Sequence, residues 1–331
     1  MFKPRFPLYL STLSLALIAM PVASVAAEKT IEEILVSADF RSRSDLETAT
    51  SVTVMTQATI KSRAAQHFED LANAIPNVNY SSGSNRARFF QIRGIGERSQ
   101  FVAPINPSVG FLVNNVDFSG AATIATMLDV EQVEVLRGPQ GTRYGANALA
   151  GLINVKTYDP EDELAASLKI RAAEYNTETI EAMVTGPLSE SVSGRLAIGR
   201  HQSDGYYQNA FLGTKRNNAQ DELSIRSKLR AEMSDTWTLD FSLSHVDIDN
   251  GYDAFTLDNS RTTLSDEPGR DMQSSVAFAV DSTWEMDSFD LELILGLADA
   301  DMEYSYDEDW TFAGIHPDGY MSRDRYIRDR D

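Results

Sequence analysis

The chain has 331 residues, a formal net charge of -20, no cysteine and four histidines. Without cysteine there is neither a disulfide framework nor a thiolate metal site, and an acidic chain has no electrostatic reason to seek nucleic acid. His67, His201, His245 and His316 lie far apart and form no HExxH or i, i+4 pair, so no metal site, cofactor or catalytic residue is expected.

The N-terminus opens with Lys3 and Arg5, continues through an apolar run from Leu8 to Met20, and reaches Val25-Ala26-Ala27. A positive start, a short apolar core and small residues at the exit describe a secretory signal peptide over 1–27, cleaved after Ala27. Its removal takes away Lys3 and Arg5 and no acid, so the charge moves from -20 to -22. Ile31-Glu32-Glu33-Ile34-Leu35-Val36-Ser37-Ala38 is a willing strand too short to stand alone; adding itself to another protein's sheet edge, or opening the next domain's own sheet, would satisfy it.

From residue 40 the chain alternates short strands with turns. Ser51 to Met55 reads as a strand, and His67 to Ala74 as a helix closed by Ile75-Pro76, since proline cannot supply the next amide. Phe90-Gln91-Ile92-Arg93-Gly94 and Val109 to Val116 read as further strands. Between them lie the polar loops 81–88 and 97–107, rich in arginine, small polar residues and proline. Val130 to Thr157, VEQVEVLRGPQGTRYGANALAGLINVKT, reads as strand, glycine-rich turn, strand. A nucleotide loop is excluded because no Gly-Lys-Ser/Thr follows the glycines, and Gly94-Ile95-Gly96 lacks the third glycine of a dinucleotide turn.

The Val130–Thr157 stretch, with Asp70-Leu71 through Ile75-Pro76-Asn77-Val78, resembles the plug domain of TonB-dependent outer-membrane receptors. That resemblance implies an α+β plug over 40–158 and makes residues 28–39 the TonB box, in which Ile31 through Ala38 would be captured by TonB with its ExbB and ExbD partners. Too few residues separate Ala27 from Ile31 for an additional periplasmic signalling domain, which favours transport over transcriptional signalling. It also implies plug arginines that meet barrel-wall glutamates: by motif, Arg93 and Arg137, with Glu131 and Glu134 as neighbours. The apical loops would meet the ligand from below, and Arg86, Arg88, Arg98, Gln100 and Phe101 are the expected contacts.

After Asp159-Pro160 the period changes to two. Leu168, Ile170 and Ala172 alternate with Ser167, Lys169 and Arg171, and Trp237, Leu239, Phe241 and Leu243 with Thr238, Asp240, Ser242 and Ser244. A soluble sheet gives the same period. Short connections (186–191, 233–236, 282–288) alternate with long polar ones (201–221, 249–273, 299–322), as in a transmembrane barrel. Strands are expected near 167–175, 178–186, 191–201, 222–232, 236–247, 273–283 and 287–299, with an eighth beginning near Ser322. A barrel that holds a plug needs roughly 22 strands, so residues 159–331 read as the first part of an incomplete antiparallel transmembrane β-barrel, and an open sheet in lipid would leave unpaired edges.

The resulting expectation is an active transporter of the Gram-negative outer membrane, in contact with outer-membrane lipid. A ferric siderophore is the default ligand, with vitamin B12, haem or an oligosaccharide as alternatives in the same class. A passive porin or β-barrel adhesin with a globular N-terminal domain shares the export signal and the strands but gives residues 31–38 no role. A periplasmic enzyme is disfavoured by the missing nucleophile or metal constellation.

Overall fold

The computed structural model describes residues 35–36, 43–44, 50–81, 85–98, 105–252, 255–315 and 326–330. The first described pair is β1 (Leu35–Val36) against β2 (Arg43–Ser44), antiparallel, with Val36 buried. β3 (Ser51–Thr56) runs into α1 (Gln57–Ser62), a helix that the strand-like sequence pattern did not announce. α2 is confined to Glu69–Ala72, shorter than the 67–74 expected, because His67 forms a bridge with Thr126 instead of entering the helix. There follow the hairpin β4 (Val78–Tyr80) and β5 (Phe90–Ile92), then β6 (Val109–Val113), β7 (Val116–Asp117), β8 (Val130–Arg137), α3 (Gly141–Tyr144) and β9 (Gly151–Thr157). The glycine-rich link between β8 and β9 thus contains a helical turn as well as glycines.

Five of these strands make one sheet in the order β3-β8-β9-β6-β7, with β9 parallel to β6 and the other pairs antiparallel. β9 is central and buried along nearly its whole length, which is why Gly-Leu-Ile-Asn-Val is an almost continuous apolar run. Gly151 starts that strand because a β-carbon there would collide with the Leu136 carbonyl and the Ile92 side chain. Beside the sheet, Phe68 meets Phe90 edge-on with centroids 4.8 Å apart, and Phe90 stacks on Phe111 at 6.0 Å.

The rest of the chain is a wall. Its elements are β10 (Ala165–Ala173), β11 (Thr177–Ser189), β12 (Val192–Ser203), β13 (Gln208–Asn209), β14 (Gln220–Ser234), β15 (Trp237–Tyr252), β16 (Thr262–Thr263), β17 (Gly269–Glu285), β18 (Asp290–Tyr306) and β19 (Tyr326–Arg330). Eight form an antiparallel meander, β10-β11-β12-β14-β15-β17-β18-β19, and β10 and β19 are its edges among the described residues. All eight fall where the sequence placed them, most of them longer.

Both faces of the wall carry apolar residues, for different reasons. On one face Val246, Ile248, Ala277, Ala279 and Met302 join the core formed with the plug sheet. On the other, cross-strand partners such as Leu243, Phe278 and Leu297 stand in rows, and Leu293 and Leu297 are each 62% exposed. Rows of exposed leucine, isoleucine and phenylalanine across neighbouring strands are stable against lipid, not water. Trp237 and Trp284 pair in register and stack at 5.8 Å beside the short turns, where an interfacial aromatic belt sits.

At the opposite end the long loops interlock. β13 and β16 pair in parallel across two of them, the Asp266 amide donates to the Thr311 carbonyl at 2.9 Å, and Phe211 stacks on Phe312 at 4.6 Å.

Candidate functional site

At the long-loop end the plug segment 85–88 is fastened to the wall residue by residue. Asn85 donates through Nδ2 to the carbonyls of Asn218, Ala219 and Gly251 at 3.3, 3.4 and 2.8 Å, and accepts from Gln220 Nε2 at 2.8 Å. Arg86 takes Glu222 of β14 with both Nε and Nη2, at 2.6 and 3.1 Å, and Glu69 of α2 with Nη1 at 2.9 Å. Its own amide donates to Asp271 Oδ2 at 3.0 Å, and the other oxygen of Asp271 accepts from Arg88 Nη2 at 2.6 Å. Arg88 also lies over the Tyr304 ring, 5.6 Å from its centroid.

These groups are out of water: Arg86 and Glu222 are each 4% exposed. Burial works against the Arg86 charge, but the Glu222 and Glu69 carboxylates outweigh it and hold its pKa above the ordinary arginine value. Breaking such a pair from one side strands a buried charge, at a cost of about 3–5 kcal/mol. Glu69 is itself held, since its Oε2 accepts the Ala87 amide at 2.9 Å. Beside it His67 is fully buried; its Nε2 donates to the Ala122 carbonyl at 3.2 Å and its Nδ1 accepts the Glu69 amide at 3.3 Å. Burial, opposed by Glu69, lowers the His67 pKa, so the imidazole is neutral.

Towards the short turns the polarity of the fastening reverses, with cations on the wall strands and acceptors on the plug and on the link that leads from it into β10. Arg195 of β12 grips both oxygens of Asp129 at 2.8 and 2.7 Å, reaches Glu161 at 3.1 Å and covers the Tyr158 ring. Arg226 of β14 donates to the Thr126 carbonyl at 2.9 Å and to the Leu128 carbonyl. Lys228 donates to Asp159 and to the Thr157 carbonyl, each at 2.9 Å. The partners of Arg226 and Lys228 lie about 70 to 100 residues away in sequence, and no local signal points to them. Beyond Lys228 a polar cavity of about 360 Å³ separates the Asn114-Asn115 turn from Asp240, Asp281 and Glu292 on the wall.

The expected site residues therefore redistribute. Arg86 and Arg88, read as ligand contacts, are buried plug fastenings. Arg137, read as a plug-barrel lock, bonds within the plug: to Ser51 Oγ at 2.9 Å, to Thr53 Oγ1 at 2.6 Å and to the Pro76 carbonyl at 3.4 Å. Arg93 is exposed with φ of 54° and makes no ion pair among the described residues; partial burial, with Arg93 nearby, lowers the Arg137 pKa. Glu131 pairs with Lys156 at 3.0 Å, and buried Glu134 accepts from Gln132 and Asn154 at 2.6 and 3.3 Å, so both are plug-internal too. Arg98 is exposed, as a ligand contact requires, whereas Gln100 and Phe101 lie outside the described residues. Of the 31–38 segment only Leu35 and Val36 are described, paired with Ser44 and Arg43.

A mixed sheet fastened by buried ion pairs to the inner face of an antiparallel wall, with an apolar band outside, defines a plugged transmembrane β-barrel. Residues 44–152 match the family model described as TonB-dependent Receptor Plug Domain. In that plug segment and in the strands that follow it the chain is similar to TonB-dependent receptors, with the barrel incomplete among the described residues. It is 28% identical over 211 residues to the pesticin receptor of Yersinia enterocolitica, covering 63% of this chain and 31% of that protein. Similarity to the vitamin B12 transporter BtuB of Vibrio vulnificus is 22% over 236 residues, covering 70% of this chain and 38% of that one. The chain thus spans about a third of the length of these curated relatives. In fold it is similar to the crystal structure of the ferric yersiniabactin uptake receptor FyuA from Yersinia pestis: the TM-score is 0.69 at 22% identity, covering 78% of this chain and 42% of that one.

Proposed function

We propose that this chain acts as a gated transporter of the outer membrane, exported by a signal peptide over 1–27 and energised through TonB acting on residues 31–38. ExbB and ExbD would supply the inner-membrane energy. The domains run 28–39 for the TonB-box segment, 40–158 for the plug and 159–331 for the barrel strands. One observation carries this reading: the plug occupies the inner side of a lipid-facing wall and is tied to it by buried charge pairs at both ends. A passive pore would have no use for a plug so fastened, and gating needs no catalytic residue.

The ligand would be held between the interlocked long loops and the plug, with Arg98 as the remaining arginine of the sequence-based set that faces solvent. We take a ferric siderophore as the ligand because relatives named for ferric enterobactin and ferripyoverdine stand among those matched. A B12-type ligand is the second reading, on the strength of the vitamin B12 transporters among the relatives.

The test is uptake in cells whose only receptor for the supplied compound is this one. Labelled ferric chelates and cobalamin are offered with TonB present or deleted. TonB-dependent accumulation of a ferric chelate supports the reading; cobalamin uptake alone moves the assignment to the second ligand, and TonB-independent leakage of both overturns gated transport.

A further inference from the structure

Phe255 and Trp310, from two of the interlocked outer loops, stack with ring centroids 4.7 Å apart and planes 18° from parallel. Trp310 remains 37% exposed, so the indole keeps surface open to solvent. Its φ of 62° is a left-handed conformation that a bulky residue seldom adopts. The turn is fixed by Asp307, whose Oδ1 accepts the amides of Asp309 and Trp310 at 3.1 and 3.2 Å. The chain therefore holds the indole on Phe255 at a conformational cost, where a relaxed loop would let it fold away.

Below this pair the rings continue inward. Phe255 meets Tyr252 at 5.9 Å and Tyr306 at 6.5 Å, and Tyr304 beneath them already carries the Arg88 guanidinium on its face. One aromatic column thus connects the outer loops to the plug, and its buried end is occupied by a cation. Indole presents the most electron-rich face of the aromatic side chains to a positive charge. The described loop segment 307–315 contains Asp307, Glu308 and Asp309 and no base; segment 255–268 contains a single base, Arg261, held over the Tyr206 ring and on the Tyr175 hydroxyl. Asp307 Oδ1 is occupied with local amides and burial raises the Asp307 pKa, so exposed Glu308 and neighbouring Asp309 set the sign of the local potential while the ring supplies the contact. An anionic ligand would find the opposite of what it needs here, because Arg86 and Arg88 are consumed by Glu222, Glu69 and Asp271.

We propose that the open face of Trp310, backed by Phe255, is a subsite for a cationic group of the transported ligand. The word transported rests on the function proposed above; the subsite rests on the ring geometry.

The test uses the complete receptor in outer-membrane vesicles, with Trp310→Phe as the reference that isolates the Trp310 emission. At matched ionic strength, caesium should quench that emission about threefold more steeply than iodide, and benzyltrimethylammonium should bind saturably where benzenesulfonate does not. Trp310→Leu should weaken benzyltrimethylammonium binding by about threefold or more with plug protection in hydrogen exchange unchanged. Iodide quenching as steep as caesium, or equal binding of the sulfonate, overturns the subsite. Those outcomes alongside intact TonB-dependent uptake overturn the subsite alone; a cation-selective Trp310 in a receptor whose uptake ignores TonB overturns the transport reading alone.

Discussion

Arg86 of the plug holds both carboxylate oxygens of Glu222 on the barrel wall, at 2.6 and 3.1 Å, while its third nitrogen holds Glu69 of the plug's own helix. The wall, the apical segment and α2 therefore share one guanidinium. Glu222 is steadied in turn by Asn250 of β15 at 2.9 Å, which spreads the fastening over two wall strands. Because the pair is buried, its two members are worth more together than either is alone.

Glu222→Gln leaves the Arg86 charge with Glu69 as its remaining partner, and Arg86→Ala leaves Glu222 and Glu69 facing each other. Each single change should destabilise plug docking by about 3–5 kcal/mol, seen as faster amide exchange in α2 and β5 of the full receptor. The double replacement Arg86→Met with Glu222→Met should cost less than the two singles added together, since neither charge is then stranded. Additive losses would show that the two residues do not act as a pair.

The apolar band is tested from the lipid side. Leu295 is 54% exposed and stands opposite Val280 in the middle of the β17-β18 ladder. Leu295→Arg should destabilise the inserted receptor by about 2–4 kcal/mol, the cost of a cation near the bilayer midplane, whereas the same change in a soluble sheet would be nearly neutral. Reversible unfolding in liposomes measures the difference, and a neutral result would mean that this face meets water.

The wall was legible in the sequence because period-two alternation and unequal loop lengths are local signals, and Leu168, Ile170, Phe241 and Leu243 declare their faces without reference to the rest of the chain. The charge pairs were not. Arg86 and Arg88 sit in a polar, glycine- and serine-rich loop and look solvent-exposed; only the long-range approach of Glu222 and Asp271, 136 and 183 residues away, buries them. Arg137 shows the reverse error: its motif suggested a partner on the wall, but the β3-β8 pairing places Ser51 and Thr53 beside its guanidinium. Replacing Arg86 and Arg88 should therefore loosen the plug in addition to any effect on ligand binding. Helix α1 escaped because Gln57–Ser62 is only six residues long, follows directly from the end of β3 and is too short to show an amphipathic period of its own.

His67 gives the plug a pH dependence with a defined sign. Its folded pKa lies below the ordinary 6.5, burial being the main cause, with Glu69, Glu222 and Asp70 opposing and Arg86 reinforcing it. The unfolded plug therefore binds the proton more readily than the folded one, so the contribution of neutral His67 is complete above pH 6.5 and is lost as the pH falls below that value. His67→Gln should flatten this part of the stability profile. A profile unchanged by the substitution would place the pH dependence elsewhere.

The tether prediction turns on a backbone donor. If residues 31–38 pair as a strand with TonB, Ile34→Pro removes one amide and fixes φ within the paired stretch. Uptake by the full-length receptor should collapse, while binding at the long-loop face and the Arg86–Glu222 fastening stay intact, because both lie far from residue 34 in sequence. The β1-β2 pair makes a second variant informative: Val36 is buried and pairs with Arg43, so Val36→Asp should expose the segment without removing a donor. A TonB box held back by this pairing would then give TonB binding in the absence of ligand, measured by cross-linking to the periplasmic domain of TonB. Retained uptake in Ile34→Pro would remove the TonB-box assignment, and ligand-dependent cross-linking in Val36→Asp at the wild-type level would show that β1 does not restrain it.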